Sequence, residues 1–221
     1  MRPAFYRACR AGGRFIWWQT IRETVLDAHR AERTGGFLIA CTHISHLEPF
    51  VVSGIMKRQV RWMARIEFYR HPWAAAILNL GGAFPVDRYG CSIRAVRTAV
   101  RLASAGECVG IFPEGGVTQG RNSIVRGAPF KHGVCTISVE TRLPIVPVVV
   151  LGTERLNRIE PWLPFRRGRL YCAFGNDVLP ATRSASRRRD RVELAVRLSD
   201  EFGRLYQNLL QHAGLTDDHI P

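Results

Sequence analysis

The sequence predicts an α/β fold: a largely parallel central sheet covered by helices on both faces, preceded by an N-terminal amphipathic helical segment. Three observations carry this. Apolar runs of strand length alternate with stretches of about a dozen residues at helical spacing, the order expected when crossover helices join parallel strands. The run Cys108-Val109-Gly110-Ile111-Phe112 is apolar without interruption, as a strand covered on both faces must be. Polar residues collect where such runs end, at His43, at Asp87-Arg88 and at Glu114, and in open α/β sheets ligands gather at the carboxyl ends of strands.

In chain order, residues 3 to about 30 read as helical, with Phe5, Tyr6, Phe15, Ile16, Trp17, Trp18, Ile21 and Val25 interleaved with arginines and a break at Gly12-Gly13. Paired tryptophans among arginines suit the headgroup level of a bilayer, and a helix packed on the domain's own core fits the same pattern. Thr34-Gly35-Gly36 is a turn. A strand follows over residues 37–42, then a helix over 47–58 with Phe50, Val51, Ile55 and Met56 on its apolar side. Residues 60–68 form a second strand and 83–88 a short third one. The very apolar helix between them, 73–80, is core or the lip of an acyl-chain pocket. Ser92 caps a helix to about 103 that has arginines on its outer side. After the strand at 108–112 come a polar loop over 118–127, a helix to about 140, and strands at 144–151 and 168–174. The loop over 155–169 carries Trp162 and Arg166-Arg167, residues 182–191 read as an exposed basic hinge, and 192–211 as the last helix.

A chain of 221 residues with 46% hydrophobic content is enough for one domain with a core. The formal charge of +14 implies an anionic partner, and it is carried almost wholly by arginine, since Lys57 and Lys131 are the only lysines. Six cysteines without a C-x-x-C pair, several in apolar runs, point to a reduced chain rather than a disulfide framework or a zinc site. Arg7, Arg10 and Arg14 interrupt any secretory apolar region. No window reaches the roughly 18 apolar residues of a spanning helix, so membrane contact is expected from one side. Neither an aromatic RNA-binding signature nor a helix-turn-helix or zinc-finger pattern is present, which argues against nucleic acid.

The histidine at the mouth of the first of these strands lies five positions before Glu48, so the two could work as a general base and its orienting carboxylate. The same letters satisfy a structural reading. Ser45-His46-Leu47-Glu48 has the form of a capping box, and residues five apart do not share a helix face, so His43 must sit in the turn for the pair to meet. His43-x-x-His46 as a metal pair is set aside. Asp87-Arg88 could be a surface ion pair, Glu114 could simply open a turn, and Arg187-Arg188-Arg189 fits a solvated face.

Four ordered blocks decide which reading to pursue. His43-x4-Glu48, Gly82-x-Phe84-Pro85-Val86-Asp87-Arg88, Phe112-Pro113-Glu114-Gly115 and Ile145-Val146-Pro147-Val148, with Phe130-Lys131-x-Gly133 before the last, resemble the glycerolipid acyltransferases of the 1-acyl-glycerol-3-phosphate type. The resemblance spans roughly residues 37 to 152. It implies transfer of a fatty acyl group from an acyl-CoA or acyl-carrier-protein (acyl-ACP) thioester, the co-substrate, to a lyso-lipid hydroxyl. No other cofactor, no metal and no covalent acyl-enzyme are implied. His43 would deprotonate the acceptor and Glu48 would orient the imidazole; Arg88 and Glu114 would hold the headgroup, with Lys131 also on the substrate. Backbone N–H groups at Gly115 and Gly116 would meet the oxyanion. Residues 1–34 would be a membrane-apposed segment and 35–221 the acyltransferase domain, peripheral or monotopic on the cytoplasmic face of an anionic membrane.

Two departures stand out. The first block ends in glutamate where the family usually has aspartate, and Gly116-Val117 replace a usual threonine and arginine, which removes a phosphate contact. Arg121 or Arg126 could substitute, or the acceptor could be a non-phosphate lipid or an amine. The alternative from another class is a catalytically silent basic protein that binds a membrane surface or nucleic acid.

Overall fold

The structure, a computed structural model, describes residues 3–87, 92–154, 168–181 and 186–216. Six helices are described: α1 Pro3–Thr20, α2 Glu48–Ile55, α3 Pro72–Gly81, α4 Ser92–Ser104, α5 Gly133–Thr141 and α6 Arg187–Ala213. Seven strands are described: β1 Ile21–Leu26, β2 Phe37–Cys41, β3 Val60–Arg65, β4 Phe84–Val86, β5 Cys108–Ile111, β6 Ile145–Leu151 and β7 Gly168–Phe174. They form one sheet in the order β1-β7-β6-β2-β5-β3-β4. Every neighbouring pair is parallel except β6 and β7, so β6, β2, β5, β3 and β4 run one way and the β1–β7 edge the other.

Alternate residues of a strand face opposite sides, and the two halves of the core divide accordingly. Leu38 and Ala40 of β2 and Val109 and Ile111 of β5 pack with Ala99 of α4, Ile137 of α5 and Leu198, Phe202 and Leu205 of α6. Phe37, Ile39 and Cys41 of the same strand pack with Val51 and Val52 of α2, with Trp17 of α1 beside them. Helices therefore cover both faces. All residues of β2 and of β6 are buried, the condition that made their sequences uniformly apolar.

The N-terminal region departs most from expectation. α1 continues through Gly12-Gly13 without a break, and residues 21–26 are a strand, paired with β7 from Ile21↔Gly168 to Leu26↔Ala173. The sheet thus crosses the expected domain boundary at residue 34. Ile66–Arg70 is a 3-10 turn rather than the end of β3, and the loop over 118–127 contains two more, Gly120–Asn122 and Ile124–Arg126. Part of the expected hinge is the start of α6, where Ser186 Oγ accepts from the Arg189 N–H; residues 182–185 lie outside the described residues. Arg88, Trp162 and Arg166-Arg167 lie outside them as well. Phe50, expected on the apolar side of α2, is 63% exposed, and α3 buries none of its residues, so that helix is not core.

Candidate active site

β2 delivers His43. Past its last residue, the Thr42 N–H donates to Val148 O at 3.1 Å and Thr42 Oγ1 accepts from the Val150 N–H at 3.0 Å, so both polar groups of the departing chain are held by β6. His43 Nδ1 then lies 3.0 Å from Glu48 Oε2. His43 is 8% exposed and Glu48 fully buried. A buried carboxylate needs all its lone pairs met, and this one accepts on its other oxygen from the Ser45 N–H at 2.8 Å and from the Thr153 hydroxyl. Its place at the first residue of α2 adds the favourable end of the helix dipole. Opposite an ionised carboxylate, which only accepts, a neutral imidazole carries its proton on Nδ1 and keeps the Nε2 lone pair. Nε2 makes no hydrogen bond among the described residues.

The carboxylate thus meets both the imidazole and the turn that starts α2, one oxygen to each. Of the capping box only the carboxylate half is formed, the Ser45 N–H to Glu48 Oε1: Ser45 Oγ accepts from the Leu47 N–H at 3.0 Å, and the residue flanking α2 is Leu47. His46 meets the edge of the His43 ring, with centroids 5.9 Å apart.

β5 delivers Glu114. Its carboxylate, expected on an acceptor headgroup, faces the protein's own donors. Oε2 accepts from the His43 N–H at 2.6 Å, and Oε1 from Ser123 Oγ and the Ile124 N–H, each at 2.9 Å. Glu114 clasps the end of β2 to the turns at 120–126, and the Thr118 N–H donates to His43 O at 2.8 Å from the same loop. Gly115 has φ +74°, a conformation open to glycine, and its N–H is committed to Phe112 O at 3.0 Å. Of the two expected oxyanion donors this leaves Gly116, whose N–H has no partner among the described residues.

Lys131 folds onto this turn. Its N–H donates to Pro113 O at 2.9 Å, and a Cβ on Gly115 would come within 2.8 Å of Lys131 Cε and 3.0 Å of Nζ. The ammonium is exposed and forms no ion pair among the described residues. Asp87, one residue past β4, leaves the sheet from the same end; Arg88 is outside the described residues.

Cys41 lies just before this site. Burial, and then the nearby Glu48 charge, pushes its thiol well above the ordinary range, so it is a packed side chain and no nucleophile. Sequence reasoning missed Thr153 and Ser123. Thr153 had a signal: it follows the end of β6, which is parallel to and hydrogen-bonded with β2, so the strand-end rule extends to it. Ser123 had none, because its role depends on how a polar loop folds back.

The model of the family described as Acyltransferase matches residues 22–151, more than half of the chain. The chain belongs to the acyltransferase family. The match begins inside β1 and ends with β6, enclosing His43, Glu48, Glu114, Gly116, Ser123 and Lys131 and stopping just short of Thr153. The chain is 31% identical over 141 residues to the 1-acyl-sn-glycerol-3-phosphate acyltransferase of Bacillus subtilis (strain 168), covering 63% of this chain and 65% of that protein. It is 28% identical over 145 residues to the Cocos nucifera enzyme of the same name, covering 64% and 46%. The chain thus matches less than two thirds of the length of these curated relatives. Its fold is similar to the crystal structure of the 1-acyl-sn-glycerophosphate (LPA) acyltransferase, PlsC, from Thermotoga maritima, with TM-score 0.69 and 19% identity over 91% of this chain and 79% of that one.

Proposed function

We propose that this protein is an O-acyltransferase that moves a fatty acyl group from an acyl-CoA or acyl-ACP thioester to a lyso-lipid hydroxyl, with His43 as general base. The observation that carries this is the buried contact of His43 Nδ1 with Glu48 Oε2 at 3.0 Å, which leaves Nε2 as the basic nitrogen at the carboxyl end of the sheet. The acceptor O–H gives its proton to Nε2 while its oxygen attacks the thioester carbonyl carbon. Glu48 stabilises the imidazolium, and the C–S bond then breaks with return of that proton to the thiolate. The Gly116 N–H is the candidate donor to the oxyanion.

The relatives' names support a 1-acyl-glycerol 3-phosphate acceptor. Gly116-Val117 lack the usual arginine, and the exposed Lys131 ammonium over Gly115 supplies a cation at the same turn. Glu114 serves as a positioning residue, since both its oxygens bind the protein. The proposal includes apposition to an anionic membrane surface, on the cytoplasmic face. No described helix is long and apolar enough to cross a membrane. Its support is the exposed apolar set Phe15, Phe50, Ile66, Phe68 and Trp73 on a chain of net charge +14.

The test is release of free thiol from acyl-CoA with a panel of lyso-lipids, followed by product analysis. His43→Ala abolishes release and keeps the melting transition of the parent. Full activity in a folded His43→Ala protein would exclude the mechanism. No release with any acceptor, together with steeply salt-dependent binding to DNA or RNA, would favour a silent binder.

A further inference from the structure

The second face of the His43 imidazole is engaged as firmly as its Nδ1. Phe112 stacks on it, with ring centroids 4.2 Å apart and planes inclined by 24°, and Trp62 stacks on Phe112 at 4.8 Å and 12°. The three rings form a column running from the base to the neighbouring strands. Its foot is a notch in β5. Trp62 of β3 is the register partner of Gly110, and a Cβ at Gly110 would lie 2.4 Å from Trp62 Cε3 and 2.6 Å from Cζ3. Only glycine leaves the indole its place. The indole is buried, and its Nε1–H donates to Ser53 Oγ at 2.9 Å, on the helix that begins with Glu48. Phe112 is two residues beyond Gly110, on the same side of the strand by the period of two.

We propose that Trp62, seated by Gly110 and acting through Phe112, is a positioning residue for the general base. It sets the plane of the imidazole while Glu48 sets its rotation, and the two supports share α2 through Ser53 and Glu48. The π face of Phe112 also favours the imidazolium that forms as the proton is taken. This rests on His43 being the base.

The experiment measures thiol release from acyl-CoA across pH for Trp62→Leu, Gly110→Ala and their combination, with Trp62→Phe and His43→Ala alongside. Trp62→Leu is expected to lower kcat by roughly ten- to a hundredfold, the scale of a misplaced catalytic group, with KM for the thioester within about twofold. The acid limb of its pH profile moves to lower pH, because the protonated ring has lost its stacked support. Gly110→Ala, whose Cβ would also meet Val60 Cγ1 at 2.7 Å, gives the same loss of kcat, and the combined variant is no worse than Gly110→Ala alone, since the contact that Trp62→Leu removes is already lost there. Trp62→Phe, which keeps a stacking ring, recovers most of the rate. Where Trp62→Leu fails to show a parental melting transition, Ser53→Ala replaces it and lowers kcat severalfold with KM unchanged. An unchanged kcat and acid limb, or defects that multiply in the combined variant, would overturn the column. If His43→Ala stays fully active, the base assignment falls and the column with it; if His43→Ala is inactive while Trp62→Leu keeps its kcat, only the column is overturned.

Discussion

Glu48 divides its oxygens between the His43 imidazole and the turn that starts α2, and this makes its substitutions informative. Three donors, His43 Nδ1–H, the Ser45 N–H and the Thr153 hydroxyl, converge on one carboxylate. In Glu48→Gln the amide NH2 faces either Nδ1, which forces the wrong tautomer, or the Ser45 N–H and Thr153 hydroxyl, which leaves the imidazolium a neutral partner; either way kcat is expected to fall by about a hundredfold or more with KM little changed. Glu48→Asp restores the usual family residue, yet a carboxylate one methylene shorter does not span both sets of donors in this turn, and about a tenfold loss of kcat is expected. Steady-state thiol release distinguishes the two. Glu48→Ala leaves all three donors buried without an acceptor, and denaturant unfolding should show a loss of about 3 kcal/mol or more. The buried thiols make a different prediction. Burial pushes Cys108 and Cys135 up to about 12, and Cys41 and Cys172 also lie above the ordinary value of 9.0. The folded protein therefore holds protons that the unfolded chain releases above pH 9.0, so this contribution to stability is intact below that pH and is lost as pH rises toward about 12. Melting temperatures measured from pH 8 upward should decline through that window, less steeply in Cys135→Ala. A thiol reagent at neutral pH should reach these four cysteines only after denaturation.

Among the elements, β1 is the one whose removal the sheet should not tolerate. It covers the edge of β7 with six paired residues, whereas α1 lies against the sheet with Trp17. Deleting residues 2–20 should leave a cooperatively melting protein of lower stability. Deleting 2–26 exposes the edge of β7, and that protein should aggregate on purification, which size-exclusion chromatography would show. β1 was the element hardest to see in the sequence. Trp17, Ile21 and Val25 are spaced by four and continue the helical pattern of α1, while the alternation of Ile21, Glu23 and Val25 is too short to compete. What settles the conformation is the unpaired edge of β7, and no local pattern reports that. β2, β5 and β6 were legible because burial on both faces left them continuously apolar. At the site, His43 and Glu48 could be paired through the order of the family's blocks. The inward turn of Glu114 and the ring column could not, because the first depends on the fold of a polar loop and the second on the register Trp62↔Gly110 across two strands.

At the scale of the whole molecule, the ends of β2, β3, β4 and β5 leave the sheet on one side, because these strands are parallel. His43 and Glu114 lie at that edge, and so does the turn Ile66–Arg70, which leads into α3. This surface is apolar where a soluble face would be polar: Ile66, Phe68, Trp73, Ile77 and Leu80 are all exposed, Trp73 at 69%. Arg65 stands over the Phe68 ring at 5.9 Å. A surface of this kind suits contact with a membrane, rings among lipid chains and guanidinium groups among phosphates, at the edge of the sheet that carries His43. The protein is therefore expected to co-sediment with phosphatidylglycerol vesicles more strongly than with phosphatidylcholine vesicles, and added salt should reduce the difference. Trp73→Ala should weaken vesicle binding by roughly tenfold, since burying one large ring contributes about 1.5–3 kcal/mol. The parental melting temperature should be kept, because the side chain packs on nothing in the core. Turnover of a short-chain, monomeric acceptor should be unaffected in Trp73→Ala, while turnover of a vesicle-borne acceptor falls. Equal loss on both acceptors would assign Trp73 to substrate binding instead of the membrane, and no loss on either would remove α3 from the contact surface.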